Sequence, residues 1–134
     1  SSDLKKLQTL YHTRRKDNPM LKDKQKIIHM LDELLTYALR SQPQKVTITI
    51  EELDDRVQIT LDDIGVQLSE EECRTLERAL NAPSRNEMRE YYGGLAGEET
   101  LFPRNLRIIG MMVDGGNVEN CESGIRLSIW WEPE

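Results

Sequence analysis

Carboxylates set among apolar residues are the first candidates for chemistry, because a buried charge is costly unless something pairs with it or uses it. Glu33 is one of them. It stands inside the apolar helical pattern Ile27, Ile28, Leu31, Leu34, Leu35, Ala38 and Leu39, where a turn of the stripe can face inward. Asp62-Asp63-Ile64-Gly65 closes an alternating strand pattern. A carboxylate beside a glycine that lets a ligand approach suits ligand reading, and the same residues also read as a turn with solvated acids. His12 and His29 are the two imidazoles; His29, within the main helix, reads as a surface or boundary residue. Cys73 and Cys121 are unlinked singles without CxxC or Cys/His spacing. They read as buried thiols in a reducing cytosol, not as a zinc site or a disulfide framework.

These residues need elements to position them. Leu4, Leu7, Leu10 and Tyr11 form one stripe of a short helix, interrupted at Asn18-Pro19 because the residue before proline is biased away from the helical region. The stripe around Glu33 predicts the strongest helix, about Met20 to Ser41, closed by Gln42-Pro43. Val46, Ile48 and Ile50, then Val57, Ile59 and Leu61, alternate with polar residues on either side of Asp54-Asp55, which predicts a hairpin with one buried face. Ser69-Glu70-Glu71-Glu72 starts a helix: Ser69 caps, Glu72 completes a capping box, and the acids favour the positive helix end. Cys73, Leu76 and Leu80 then face inward until Asn81-Ala82-Pro83.

Residues 83–100 carry little periodicity and three glycines, Gly93, Gly94 and Gly97, and read as a long loop of the kind that is often functional. Pro103 starts another helix, Leu106 to Val113, which Gly115-Gly116 ends. A strand over Asn117–Glu122, a turn at Ser123-Gly124 and a final strand from Ile125 to Trp131 complete the order. Helices interspersed with hairpins predict a two-layer α+β sandwich.

The 134 residues are a single-domain length, and no apolar run approaches the roughly 20 residues of a membrane span. The N-terminus has no apolar signal-peptide core. A cytoplasmic protein without membrane contact is the expectation. The net charge of −6 divides unevenly: residues 1–28 carry +5 and residues 29–134 carry −11. An acidic body repels a phosphate backbone, and the basic front offers only Tyr11 for stacking, so no nucleic-acid partner is expected. The opposite signs let the basic front end lie against the acidic body or join an upstream segment.

Taken together, Glu33-Leu34-Leu35-Thr36-Tyr37-Ala38, a hairpin, Asp63-Ile64-Gly65-Val66-Gln67, a long loop, a helix and two strands resemble the GHKL ATPase family. That family includes gyrase, the heat-shock chaperone ATPase, histidine kinases and mismatch-repair ATPases. The likeness is greatest to the ATP-binding domains of histidine kinases and of anti-sigma-factor serine kinases, and it covers roughly residues 27–132. It implies a Bergerat-type α/β sandwich with a mixed, mainly antiparallel sheet over residues 27–134; the basic helical segment over residues 1–26 lies outside the resemblance.

The resemblance carries roles onto particular residues. Glu33 matches the glutamate that acts as general base or positions the accepting group. Tyr37 stands where the family has the asparagine that binds Mg²⁺. A phenol is a poor ligand for that hard cation, so ATP is the implied cofactor while Mg²⁺ and a protein metal site are disfavoured. Asp63 and Gly65 match the box whose aspartate reads the adenine amino group, and Gln67 replaces its second glycine. Phosphate is held in the family by a Gly-rich lid edge at a helix entrance; here Pro103 removes one N–H there. Gly93, Gly94 and Gly97 lie upstream, as a displaced lid or as loop hinges. Neither histidine suits phosphoacceptance: Thr13-Arg14 follows His12, which lies too close to Glu33 for a phosphoacceptor domain between them.

The resemblance therefore implies a degenerate signalling module that binds a protein partner, with weak or lost Mg-ATP binding. The alternative is an active kinase or ATPase with atypical boxes, in which Arg85, Arg89 or Arg104 balances phosphate charge. The stripe at Leu4, Leu7, Leu10 and Tyr11 is short enough to want a partner surface, which makes a homodimer through the N-terminal helix a further expectation.

Overall fold

The computed structural model describes residues 23–81 and 103–133. The expected helix at Leu4–Tyr11, His12, and the loop with Arg85, Arg89, Gly93, Gly94 and Gly97 lie outside the described residues. The elements run α1 (Lys24–Arg40), β1 (Lys45–Leu53), β2 (Arg56–Ile64), α2 (Glu70–Leu80), α3 (Arg104–Met112), β3 (Gly115–Cys121) and β4 (Gly124–Trp131). The strands form one sheet in the order β1-β2-β4-β3. Every pairing is antiparallel, so the described sheet has no parallel pair of the kind a mixed sheet requires.

The α1 stripe folds as its spacing demands. Ile27, Met30, Leu34 and Ala38 are buried at successive turns. The start of the helix is tied to the far end of the sheet: the Trp131 indole N–H donates to Asp23 Oδ2 at 2.7 Å, and the Lys26 ammonium lies 5.1 Å above the Trp131 ring. The β1–β2 hairpin turns on Asp54 and Asp55, both with positive φ. Two such residues make the type I′ turn whose twist matches a tight hairpin. Val57, Ile59 and Leu61 of β2 point into the core with Ile125, Leu127, Ile129 and Trp131 of β4, and the helices cover that face.

The capping box at α2 forms as expected. The Glu72 N–H donates to Ser69 Oγ at 3.0 Å and the Ser69 N–H to Glu72 Oε1 at 3.1 Å. Cys73, Leu76 and Leu80 are buried. Helix α3 packs against both α1 and α2, and α2 lies along β3.

Three local expectations are corrected. Gly115 and Gly116 open β3 instead of ending a helix, which already stops at Met112. The reason is close approach, since a Cβ on Gly116 would stand 2.6 Å from the Leu80 Cβ. The final turn is at Glu122-Ser123, and Gly124 is the first residue of β4. Cys73 is buried as expected, whereas Cys121 is half-exposed at the end of β3; both thiols are free. No helix among the described residues is long and apolar enough to cross a membrane.

Candidate functional site

Glu33 and Tyr37, one helical turn apart, share the flank of α1 that faces α3 and the Asp63 end of β2. Glu33 is held in place. Its Oε2 accepts from the Asn105 amide at 2.7 Å, and the Asn105 Oδ1 accepts from Arg40 at 3.3 Å. The imidazole of His29 stands 3.7 Å from Glu33 Oε1 and is itself well exposed. Asn105, buried at the start of α3, thus bridges two helices through one carboxylate and one guanidinium. Sequence reasoning missed Asn105. The available signal was an amide on the buried stripe of α3, beside Leu106 and Ile109.

Asp63 lies on the core face of β2, 2 % exposed, in register between Val46 of β1 and Ile125 of β4. It is not a solvated turn acid. Its Oδ1 has no hydrogen-bond partner, and burial pushes its carboxyl above the ordinary aspartate range. Tyr37 is pushed up to about 12, first by burial, then by the negative charge of Asp63, with smaller contributions from Cys73 and Glu72. The phenol is therefore neutral at any physiological pH and can offer one O–H donor. Burial and the nearby acids of α2 also raise the Cys73 thiol, which keeps it protonated.

Neighbouring Asp62 points the other way. It pairs with Arg126 at 2.7 Å on the open face of the sheet, beside a shallow cleft shared with Thr47 and Cys121. The strand pleat thus splits the Asp62-Asp63 doublet between two faces.

Gly65 follows β2 with φ +92, a region that L side chains rarely adopt. Its N–H donates to the Ser123 carbonyl at 2.8 Å, and a Cβ there would stand 2.8 Å from the Gln44 side chain. The glycine is required by this turn and its packing on Gln44. Gly65 therefore has a local structural reason to be glycine, apart from any ligand.

The donors and acceptors brought together are a positioned carboxylate, a neutral phenol and a buried carboxylate with one free oxygen. An acceptor such as Asp63 Oδ1 fits an amino group, including the exocyclic amine of adenine. Tyr37 does not fit a divalent cation, which takes carboxylate, carbonyl or water oxygens. No protein-family model matches the chain, and no curated protein matches it.

Proposed function

We propose that the chain is a degenerate histidine-kinase-like ATPase-fold module of the GHKL type. It acts in cytoplasmic signal transduction by binding a protein partner, with weak or lost Mg-ATP binding. The observation that carries this reading is Tyr37. A half-buried, neutral phenol stands at the helix position that the resemblance aligns with the family's Mg²⁺ ligand, one turn from a Glu33 already engaged by Asn105. The element order agrees with the resemblance, with a helix bearing Glu33, a hairpin ending in Asp63 and Gly65, two further helices and two closing strands.

One observation favours a second reading. Asp63 keeps a buried oxygen without a partner, which is what an adenine-reading aspartate needs. In that case the chain is an active ATP-binding kinase or ATPase of the same family with atypical boxes. Calorimetric titration with ATP and with Mg-ATP separates the two. The degenerate reading expects no saturable, Mg-dependent binding up to millimolar nucleotide. Saturable micromolar Mg-ATP binding that Asp63→Asn abolishes would establish the second reading in its place. If metal coordination alone was lost, Tyr37→Asn restores a measurable Mg²⁺ dependence.

A further inference from the structure

The outer edge of β1 has the properties of a pairing surface. The strand is nine residues long with no proline within it, and no strand pairs with its outer side among the described residues. Leu53 and Arg56 close a two-residue type I′ turn and so form a hydrogen-bonded pair. Alternation along the ladder then turns the N–H and C=O groups of Val46, Ile48, Ile50 and Glu52 away from β2, toward solvent. The inward side chains of Val46, Ile48 and Ile50 are only half-buried, unlike their neighbours on β2. Ile28, Leu35 and Leu39 are exposed on the flank of α1 opposite the one that carries Glu33 and Tyr37 toward α3. Among the described residues, the β1 edge is thus left with unpaired backbone and half-buried apolar side chains, and α1 with an exposed apolar flank.

We propose that this edge pairs antiparallel with β1 of a second copy, joining two sheets across a twofold axis at Thr49. The sequence of the strand selects this occupant and this direction. With Thr49 facing Thr49, Ile48 faces Ile50 and Val46 faces Glu52, so all the outward-facing residues of both copies meet in hydrogen-bonded pairs. Lys45 of one copy falls diagonally across from Glu51 of the other, on the same face of the sheet. A parallel, in-register pairing would instead set lysine against lysine and glutamate against glutamate, which is destabilising. The twofold also keeps the core-facing sides of both sheets, and the helices that cover them, on the same side of the joined sheet.

The register makes the proposal testable on the full chain. Sedimentation equilibrium at tens of micromolar protein is expected to show a dimer. Thr49→Lys, an exposed change that places two ammonium groups together at the axis, is expected to weaken it at least tenfold while leaving in place the denaturation midpoint measured at protein concentrations too low for the parent chain to dimerise. In a Cys121→Ser background, Thr49→Cys is expected to oxidise to a disulfide-linked dimer, because facing residues of a non-hydrogen-bonded pair stand about 4.5 Å apart at Cα. Thr47→Cys is expected to stay monomeric under the same oxidation, its two copies being separated by about 14 Å along the strand. A monomer at these concentrations overturns the proposal. So does a dimer that survives Thr49→Lys, which puts the contact elsewhere, for example in residues 1–22. Equal cross-linking at both cysteine positions overturns it as well.

Discussion

The two outer strands of the sheet are finished in opposite ways. Along β3, Asn81 at the end of α2 accepts the Gly116 N–H at 3.1 Å and donates to the Gly116 carbonyl at 2.8 Å. Glu77, one turn earlier, accepts the Val118 N–H at 3.1 Å. Side chains of one helix thus occupy backbone groups that would otherwise template another strand. Along β1, no side chain among the described residues does the same. The difference follows from where the helices lie. Helix α2 runs along β3 closely enough that Gly116 has no room for a Cβ, while no helix among the described residues packs comparably on β1. An edge is protected by what a neighbouring helix can reach, and the strand's own sequence does not decide it.

The largest effect is expected where the sealed edge is opened. Asn81→Ala removes both partners of Gly116 at once and should cost about 2 kcal/mol, read as a lower urea midpoint at unchanged slope. A loss below about 0.5 kcal/mol would mean that water replaces the amide without penalty, and the contrast between the edges would then be one of geometry alone. Asn105→Ala tests the bridge on the α1 side of the molecule. It strips the amide from Glu33 and the acceptor from Arg40, and should cost about 1.5 kcal/mol. If Asn105→Ala proves the costlier of the two, the α1–α3 contact and not the sealed edge is the stronger polar anchor.

Much of this contrast could be read from the sequence, and some of it could not. Periodicity located α1, the hairpin and α2, because each buries a regular stripe, and the Ser69/Glu72 capping box is a local signature that needs no tertiary context. Gly115 and Gly116 misled for the opposite reason. A glycine reads as a helix stop, whereas here it answers to Leu80 and Trp130, which arrive from elements distant in sequence. Glu33 was legible as an acid on an apolar helix, but its partner Asn105 lies 72 residues away, beyond any local pattern. Asp63 was legible as a candidate; that the pleat buries it and exposes Asp62 follows only once the strand register is known.

A smaller effect, and one with a pH signature, is expected at Asp63. Its folded-state pKa is raised by burial, so the folded protein holds this proton more tightly than the unfolded chain. The stability this confers is fully present below the ordinary aspartate value of 3.8 and is lost as pH rises through the raised one. Asp63→Asn cannot ionise and escapes that loss. Relative to the parent chain, the variant should therefore gain stability as pH rises from 3.5 to 7, whatever its absolute stability. A flat difference across that range would mean that the carboxylate finds a partner in solution.

The smallest expected effect is spectroscopic, and it tests the same corner of the molecule from the side of the phenol. Tyr37 should ionise near pH 12, well after an ordinary tyrosine at 10.0, so an absorbance titration should show one late phase. Because this value too is raised, its share of stability is present below pH 10 and disappears as pH climbs through about 12. Burial is the larger cause and the charge of Asp63 the second. Asp63→Asn should consequently move the late phase down part of the way, leaving it above the ordinary value. A complete return to 10 would mean that the Asp63 charge and not burial dominates. The corner would then be wetter than the sealed α2–β3 seam by more than its missing partners require.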